Sequence, residues 1–189
     1  MARWRPDAAK RLTEAALDLF AEQGYENTTV IEIAERAGLG KTTFFRHFPD
    51  KREVLFGGET MSGLLADAIT AAPAAATPLE AVAAAMDRAG REVFTPARHE
   101  RVAARRAVIA ANPELQEREA LKGLGLIAAM TDALRRRGVP DLPSSIAAQL
   151  GALAVKIAYD RWIDAAGGEE FGAVAQRTLS ELRAATALV

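Results

Sequence analysis

Residues 28–55 read TTVIEIAERAGLGKTTFFRHFPDKREVL. Thr29-Val30-Ile31-Glu32 has capping-box spacing: the threonine hydroxyl can accept from the amide three residues on, while the glutamate reaches back. Val30, Ile33, Ala34 and Ala37 then share one helical face, and Gly38 ends it. After the turn AGLG, a second short helix is expected from Lys41 to His47. It stops ahead of Pro49, since proline disfavours α geometry in the residue before it. Two short helices joined by a glycine turn have the form of a helix-turn-helix, whose second helix meets the major groove with its N-terminal end.

The same stretch holds GLGKTT, which also looks like the end of a nucleotide-binding loop. Such a loop requires G-x-x-x-x-G-K-[ST] after a strand. Glu35 stands where its first glycine belongs, and the preceding IEIAERA reads as a helix. The phosphate to be met is therefore DNA's. Lys41 can donate to guanine O6 or N7, and Thr42 and Thr43 can donate, accept or touch a thymine methyl. Residues 38–52 carry Lys41, Arg46, Lys51 and Arg52 against one acid, Asp50. The first eleven residues carry Arg3, Arg5, Lys10 and Arg11 against Asp7. A chain of net charge -1 thus concentrates positive charge on two segments that a duplex could meet. Arg3 and Arg5 read as a solvated tail.

Composition narrows the function further. Of 189 residues, 50% are hydrophobic, enough for a buried core, and none is cysteine, which excludes disulfides and thiolate chemistry. The start MARWRPDAAK lacks an apolar signal region, and no run approaches the roughly 18 apolar residues of a membrane span, so a cytoplasmic protein is expected. His47 and His99 are far apart, and neither a paired-histidine metal motif nor GxSxG occurs. No cofactor, metal or enzymatic activity is expected.

The whole chain reads as all-α, with about nine helices. The first runs from about Asp7 to Gln23 and ends at Gly24, a favoured C-terminal position for glycine. A fourth is expected from about Asp50 to Ala71. Thr77-Pro78-Leu79-Glu80 is a second capping box and opens a fifth helix, to about Val93. The remaining helices are expected near 99–111, 113–137, 144–166 and 169–187. The expected domains are 1–50, for DNA, and 51–189, for ligand and dimerisation, with helix 4 connecting them from 51.

Together with the preceding ALDLFAEQGYENTTV, the opening stretch resembles the DNA-binding domain of the TetR family of bacterial transcription regulators, over about residues 7–56. The resemblance implies a helix-turn-helix repressor that acts as a homodimer, sits on a palindromic operator and is released by a small ligand held in a C-terminal helical domain. It also implies roles. Thr29, with Thr28 beside it, matches the phosphate-binding cap; Lys41, Thr42 and Thr43 match the base-reading start of the recognition helix; His47 and Lys51 match phosphate contacts. Phe45 stands where a tyrosine is usual, and so lacks the hydroxyl that would meet backbone phosphate. Phe44 and Phe48 read as core.

Helix 8 has two apolar faces. Leu150, Leu153, Ala154, Ile157 and Ala158 form one; Val155, Tyr159, Trp162 and Ala166 form the other. A lone surface helix needs only one. A homodimer through helices 8 and 9 is expected, with the face that meets the partner left open. Met86, Phe94, Arg105, Met130, Tyr159 and Trp162 are the candidate ligand residues. Gly123 and Gly125 are read as bending helix 7, opening space or allowing close packing. Arg105 and Arg106 lie near an apolar face, and a buried arginine needs an anion, from helix 5, helix 7 or a ligand. The segment ARRAVIAANPELQERE with AYDRWID resembles the C-terminal domain of mycofactocin-regulator-like members, some of which respond to acyl-CoA; an anionic amphiphile is the expected effector. The rival readings are an architectural DNA-binding protein without ligand, a small helical enzyme and, as a variant, an activator.

Overall fold

The computed structural model describes residues 8–56, 61–165 and 168–186, and those residues contain helices and no strand. The helices are α1 (Ala8–Gln23), α2 (Val30–Arg36), α3 (Lys41–His47), α4 (Met61–Ala71), α5 (Pro78–Glu92), α6 (His99–Ala110), α7 (Pro113–Arg136), α8 (Asp141–Asp164) and α9 (Phe171–Thr186), with 3-10 turns at Arg52–Leu55 and Pro96–Arg98. Arg3 and Arg5 lie outside the described residues.

Two expectations need correction. The single helix expected over 50–71 is a 3-10 turn followed by a helix that begins at Met61. Residues 57–60, between the two, lie outside the described residues. Helix 8 begins at Asp141 rather than Ser144, so Pro143 sits inside its first turn. Proline is tolerated there because the first amides of a helix have no intrahelical acceptor.

Packing divides the chain into two units: one takes in the chain to Thr60 with Ala103–Ala120, the other Met61–Val102 with Leu121–Val189. A cut at residue 50 does not anticipate that the end of α6 and the start of α7 belong to the first unit. Ile109 and Leu115 explain it. Both are buried, at 2% and 0% exposed, in the core formed by Leu12, Leu19, Phe20, Ile33, Phe44 and Phe48. At roughly 1.5–3 kcal/mol for each large side chain buried, the two fasten this hairpin firmly to the helix-turn-helix. Within the unit, Arg36 grips Glu22 with two parallel bonds of 2.8 and 2.7 Å, tying α2 to α1. Arg11 caps the end of α2 by donating to the Ala37 carbonyl. Gly38 turns the chain at φ 65°, a left-handed conformation that suits glycine.

In the second unit α5 packs against α4, α8 and α9. Small residues bring these helices close. A Cβ on Gly90 of α5 would lie 2.8 Å from the Gly172 backbone nitrogen of α9, and one on Gly151 would meet Val82 and Met130. Arg137 donates to the carbonyls of Ile69, Ala72 and Pro73, satisfying the C-terminal end of α4. Gly123 and Gly125 face open space, with nothing within 4 Å of an added Cβ, so close packing within the protomer does not explain them.

Candidate nucleic-acid interface

The start of α2 is built as its sequence suggests. The Thr29 hydroxyl accepts from the Glu32 amide at 3.2 Å, and Glu32 accepts from the Thr29 amide at 2.8 Å. The Thr29 side chain, then its amide, then Gln23 hold the Glu32 carboxyl below its usual range, so it stays charged. Thr29 is exposed, beside the unpaired amides of a helix start.

Recognition-helix candidate α3 rests on two buried anchors, Phe44 at 0% and Phe48 at 2% exposed. Lys41, Thr42, Arg46 and His47 are exposed on it, and Thr43 is half-buried. Arg46 and His47 occupy the last turn, where positive charge complements the helix dipole. Phe45 is 46% exposed, with the Phe44 ring edge-on at 5.5 Å and Lys41 Nζ at 5.8 Å from its centre. An exposed ring held in one orientation offers apolar contact to a partner. The N-terminal Gly40 gives no side-chain cap.

Two sequence candidates are placed differently from the others. Thr28 is 2% exposed, and its hydroxyl donates to the Gly24 carbonyl at 2.8 Å. It shapes the turn before α2 and offers no free hydroxyl to a duplex. Lys51 is half-buried; its ammonium donates to the Tyr25 carbonyl at 2.7 Å and lies 4.0 Å from the centre of the Tyr25 ring. Ile31, 48% exposed on the first turn of α2, was not singled out by sequence, because its only signal is an apolar residue off the buried face.

Residues 12–56 match the family described as bacterial regulatory proteins, tetR family. Residues 12–56 thus form a TetR-family DNA-binding domain. The TcmR transcriptional regulator of Streptomyces glaucescens is 43% identical over 79 residues, 40% of this chain and 34% of that protein. YvkB of Bacillus subtilis, an uncharacterised regulator of the helix-turn-helix type, is 44% identical over 43 residues, 23% of each. The match therefore spans about a third or less of these curated relatives. Solved structures share the fold across nearly the whole chain. A SmeT–triclosan complex superposes with TM-score 0.63 at 22% identity, covering 94% of this chain and 90% of that one. FadR of Bacillus subtilis with stearoyl-CoA gives 0.58 at 18%, covering 90% and 95%.

The candidate ligand residues are not gathered together. Arg105 belongs to the first unit, where it donates to the Leu55 carbonyl at 2.8 Å, pairs with Glu119 at 3.2 Å and stacks on Phe56. The anion expected for it is thus an acid of α7. Met86, Phe94, Met130 and Trp162 are buried in the second unit, and Tyr159 is half-buried. Phe94 stacks on Phe171 at 4.2 Å and meets Tyr159 and Trp162 edge-on at 5.7 and 6.0 Å. These rings fill their own space. A cleft of about 480 Å³ lies instead in the first unit, lined by Leu17, Phe20 and Tyr25 on one side and by Ala104, Ala107 and Val108 of α6 on the other. Among the described residues no acidic or histidine cluster could hold a metal, and no helix is long and apolar enough to cross a membrane.

Proposed function

We propose that this protein is a transcriptional regulator that binds a palindromic operator as a homodimer and is released by a small apolar or amphiphilic effector. The observation that carries the DNA-binding reading is α3: Lys41, Thr42, Arg46 and His47 are exposed along seven residues held rigid by Phe44 and Phe48. In this reading Lys41, Thr42 and Thr43 read bases, Phe45 adds apolar contact, and Thr29, His47 and Lys51 meet phosphates.

The partner surface is the α8 stripe Leu142, Ile146, Leu150, Leu153 and Ile157, spaced four, four, three and four. Leu142, Ile146 and Leu153 are 69%, 49% and 44% exposed, whereas Ala154, Ala158 and Trp162 face the protomer core. In this reading the partner covers the leucine and isoleucine residues of the stripe, while Ala154 and Ala158, expected beside them, pack inside the protomer. The effector would occupy the second unit by displacing the Phe94–Trp162 cluster. Support for an apolar ligand comes from proteins of this fold, SmeT with triclosan and FadR with stearoyl-CoA. Arg105 is left out of this effector site because it lies in the first unit, paired with Glu119.

Fluorescence anisotropy with duplexes tiling the DNA upstream of the gene, at two salt concentrations, tests the reading. Saturable, salt-weakened binding to one two-fold-symmetric segment is expected, followed by release on adding long-chain acyl-CoA or triclosan-like aromatics. Uniform weak binding to every duplex would replace it with an architectural role.

A further inference from the structure

The cleft between α1 and α6 is used neither by the DNA-binding reading nor by the effector site placed in the second unit. Its volume, about 480 Å³, falls in the range of sites that hold small molecules, roughly 300–1,000 Å³. The floor is apolar, made by the buried Leu17, Phe20 and Tyr25. The walls are short. Ala104 and Ala107 of α6, with Ala111 just past it, recur three and four residues apart and so share one side. Ala21 and Gly24, at and just past the end of α1, line the other. Five positions with no side chain beyond a methyl group leave the trough open above its floor. The polar side chains stand around it. Asn27 and Asn112 each donate an N–H to the carbonyl four residues back, of Gln23 at 2.9 Å and of Val108 at 2.6 Å, which holds both amides in place. Glu26 alone among the lining residues carries a charge; it is exposed and forms no ion pair among the described residues. The basic groups beside the cleft are committed elsewhere. Lys51 donates to the Tyr25 carbonyl, and Arg105 donates to the Leu55 carbonyl and to Glu119; neither lines the trough.

We propose that this cleft is a separate small-molecule site, for an amphiphilic amine: its apolar ring or chain lies in the trough and its ammonium meets the Glu26 carboxylate. The apolar body gains by leaving water, in proportion to the area that the trough covers. The charge selects among molecules with the same body. An ammonium at Glu26 gains a partner, whereas a carboxylate there meets a like charge and no cation of the lining. The amide oxygens of Asn27 and Asn112 are further acceptors for its N–H groups. Every lining residue belongs to the first unit, so the site is distinct from the one proposed around Phe94 and Trp162. It is also independent of the DNA-binding reading. Gly24 to Asn27 form the turn that leads to the Thr29 cap, so a bound amine rests against the segment that positions the start of α2.

The test titrates the full-length protein with naphthylmethylamine, and with methylnaphthalene and naphthylacetate as its uncharged and anionic counterparts. Binding is followed by the chemical shifts of isotope-labelled alanine methyl groups. Saturable shifts centred on Ala104, Ala107 and Ala111 are expected for the amine. Its dissociation constant should lie about two- to fivefold below that of the uncharged compound, the gain from one exposed ion pair, and the acid should bind most weakly. Glu26→Gln should bring the amine level with the uncharged compound. Ala107→Leu fills the trough from an exposed position and should abolish binding there of all three. Ala21→Leu, exposed on the opposite wall, should do the same and keeps the question answerable if Ala107→Leu folds poorly. Shifts confined to the second unit overturn the proposal, as do shifts that both wall variants leave unchanged. An amine that binds no better than the acid, or that gives no saturable shift up to its solubility limit, overturns it too.

Discussion

Replacing Ile146 by serine should separate the two copies of the proposed dimer while leaving each protomer folded. Ile146 is 49% exposed in the protomer, so about half of its side chain gains burial when a partner covers it. Fully burying such a side chain is worth roughly 1.5–3 kcal/mol, so half is worth roughly 0.7–1.5 kcal/mol per copy. A two-fold interface counts every residue twice, giving roughly 1.5–3 kcal/mol for the pair. With tenfold for each 1.4 kcal/mol, the dimer dissociation constant should rise about 10- to 150-fold. The protomer itself should change by no more than about 0.5 kcal/mol, as for other exposed substitutions. Sedimentation equilibrium over a concentration series gives the constant, and thermal melting of the dilute variant gives protomer stability. Operator affinity should fall in parallel, since one helix-turn-helix then holds one half-site. A dissociation constant within twofold of wild type, in a folded variant, would show that this face of α8 is not where the copies meet. The same series on Asp67→Ala, exposed on α4, should show no shift.

Three further outcomes follow from the packing. Gly90→Ala should destabilise the protein by about 1–3 kcal/mol because its Cβ would lie 2.8 Å from backbone, whereas Gly125→Ala, facing open space, should stabilise it by up to about 1 kcal/mol; urea titrations that gave both the same sign would refute the helix placement. Arg118→Ala should cost about 1–3 kcal/mol by removing a cation bonded to the buried Glu53 carboxylate, less than the ~3–5 of a fully buried pair because Arg118 is 36% exposed, and a loss under about 0.5 kcal/mol by the same titration would deny that pair its role. Burial and Glu114 raise the Tyr25 phenol above its ordinary value, so its contribution is complete below about pH 10 and is lost as the unfolded chain begins to ionise above that; the alkaline fall in melting temperature should be shallower in Tyr25→Phe, and an identical profile would contradict the buried, hydrogen-bonded phenol.

The parts legible in the sequence are those set by neighbours three or four residues apart. The boxes at Thr29 and Thr77 form as spaced, because a cap needs only its own first turn. The bounds of α3 follow from Gly40 and Pro49, and the burial of Phe44 and Phe48 from helical periodicity. Resemblance set Thr28 beside the phosphate-binding cap, yet the turn that brings it to Gly24 buries it. Arg105 was rightly expected to need an anion, but the choice among helix 5, helix 7 and a ligand depended on which helix lies alongside. The two faces read on α8 are not the division the structure makes: Ala154 and Ala158 of one and Trp162 of the other are buried together, while Leu153 stays exposed.

By itself the sequence determined the helix-turn-helix and its polarity, since local hydrogen bonding and a seven-residue amphipathic helix specify them without reference to distant chain. Tertiary structure decided what joins that motif to distant residues: Glu53 with Arg118, 65 positions on, and the burial of Ile109 and Leu115 in its core. Such contacts leave no spacing rule in a sequence, because the distance between two residues along a folded chain is unrelated to their separation in space.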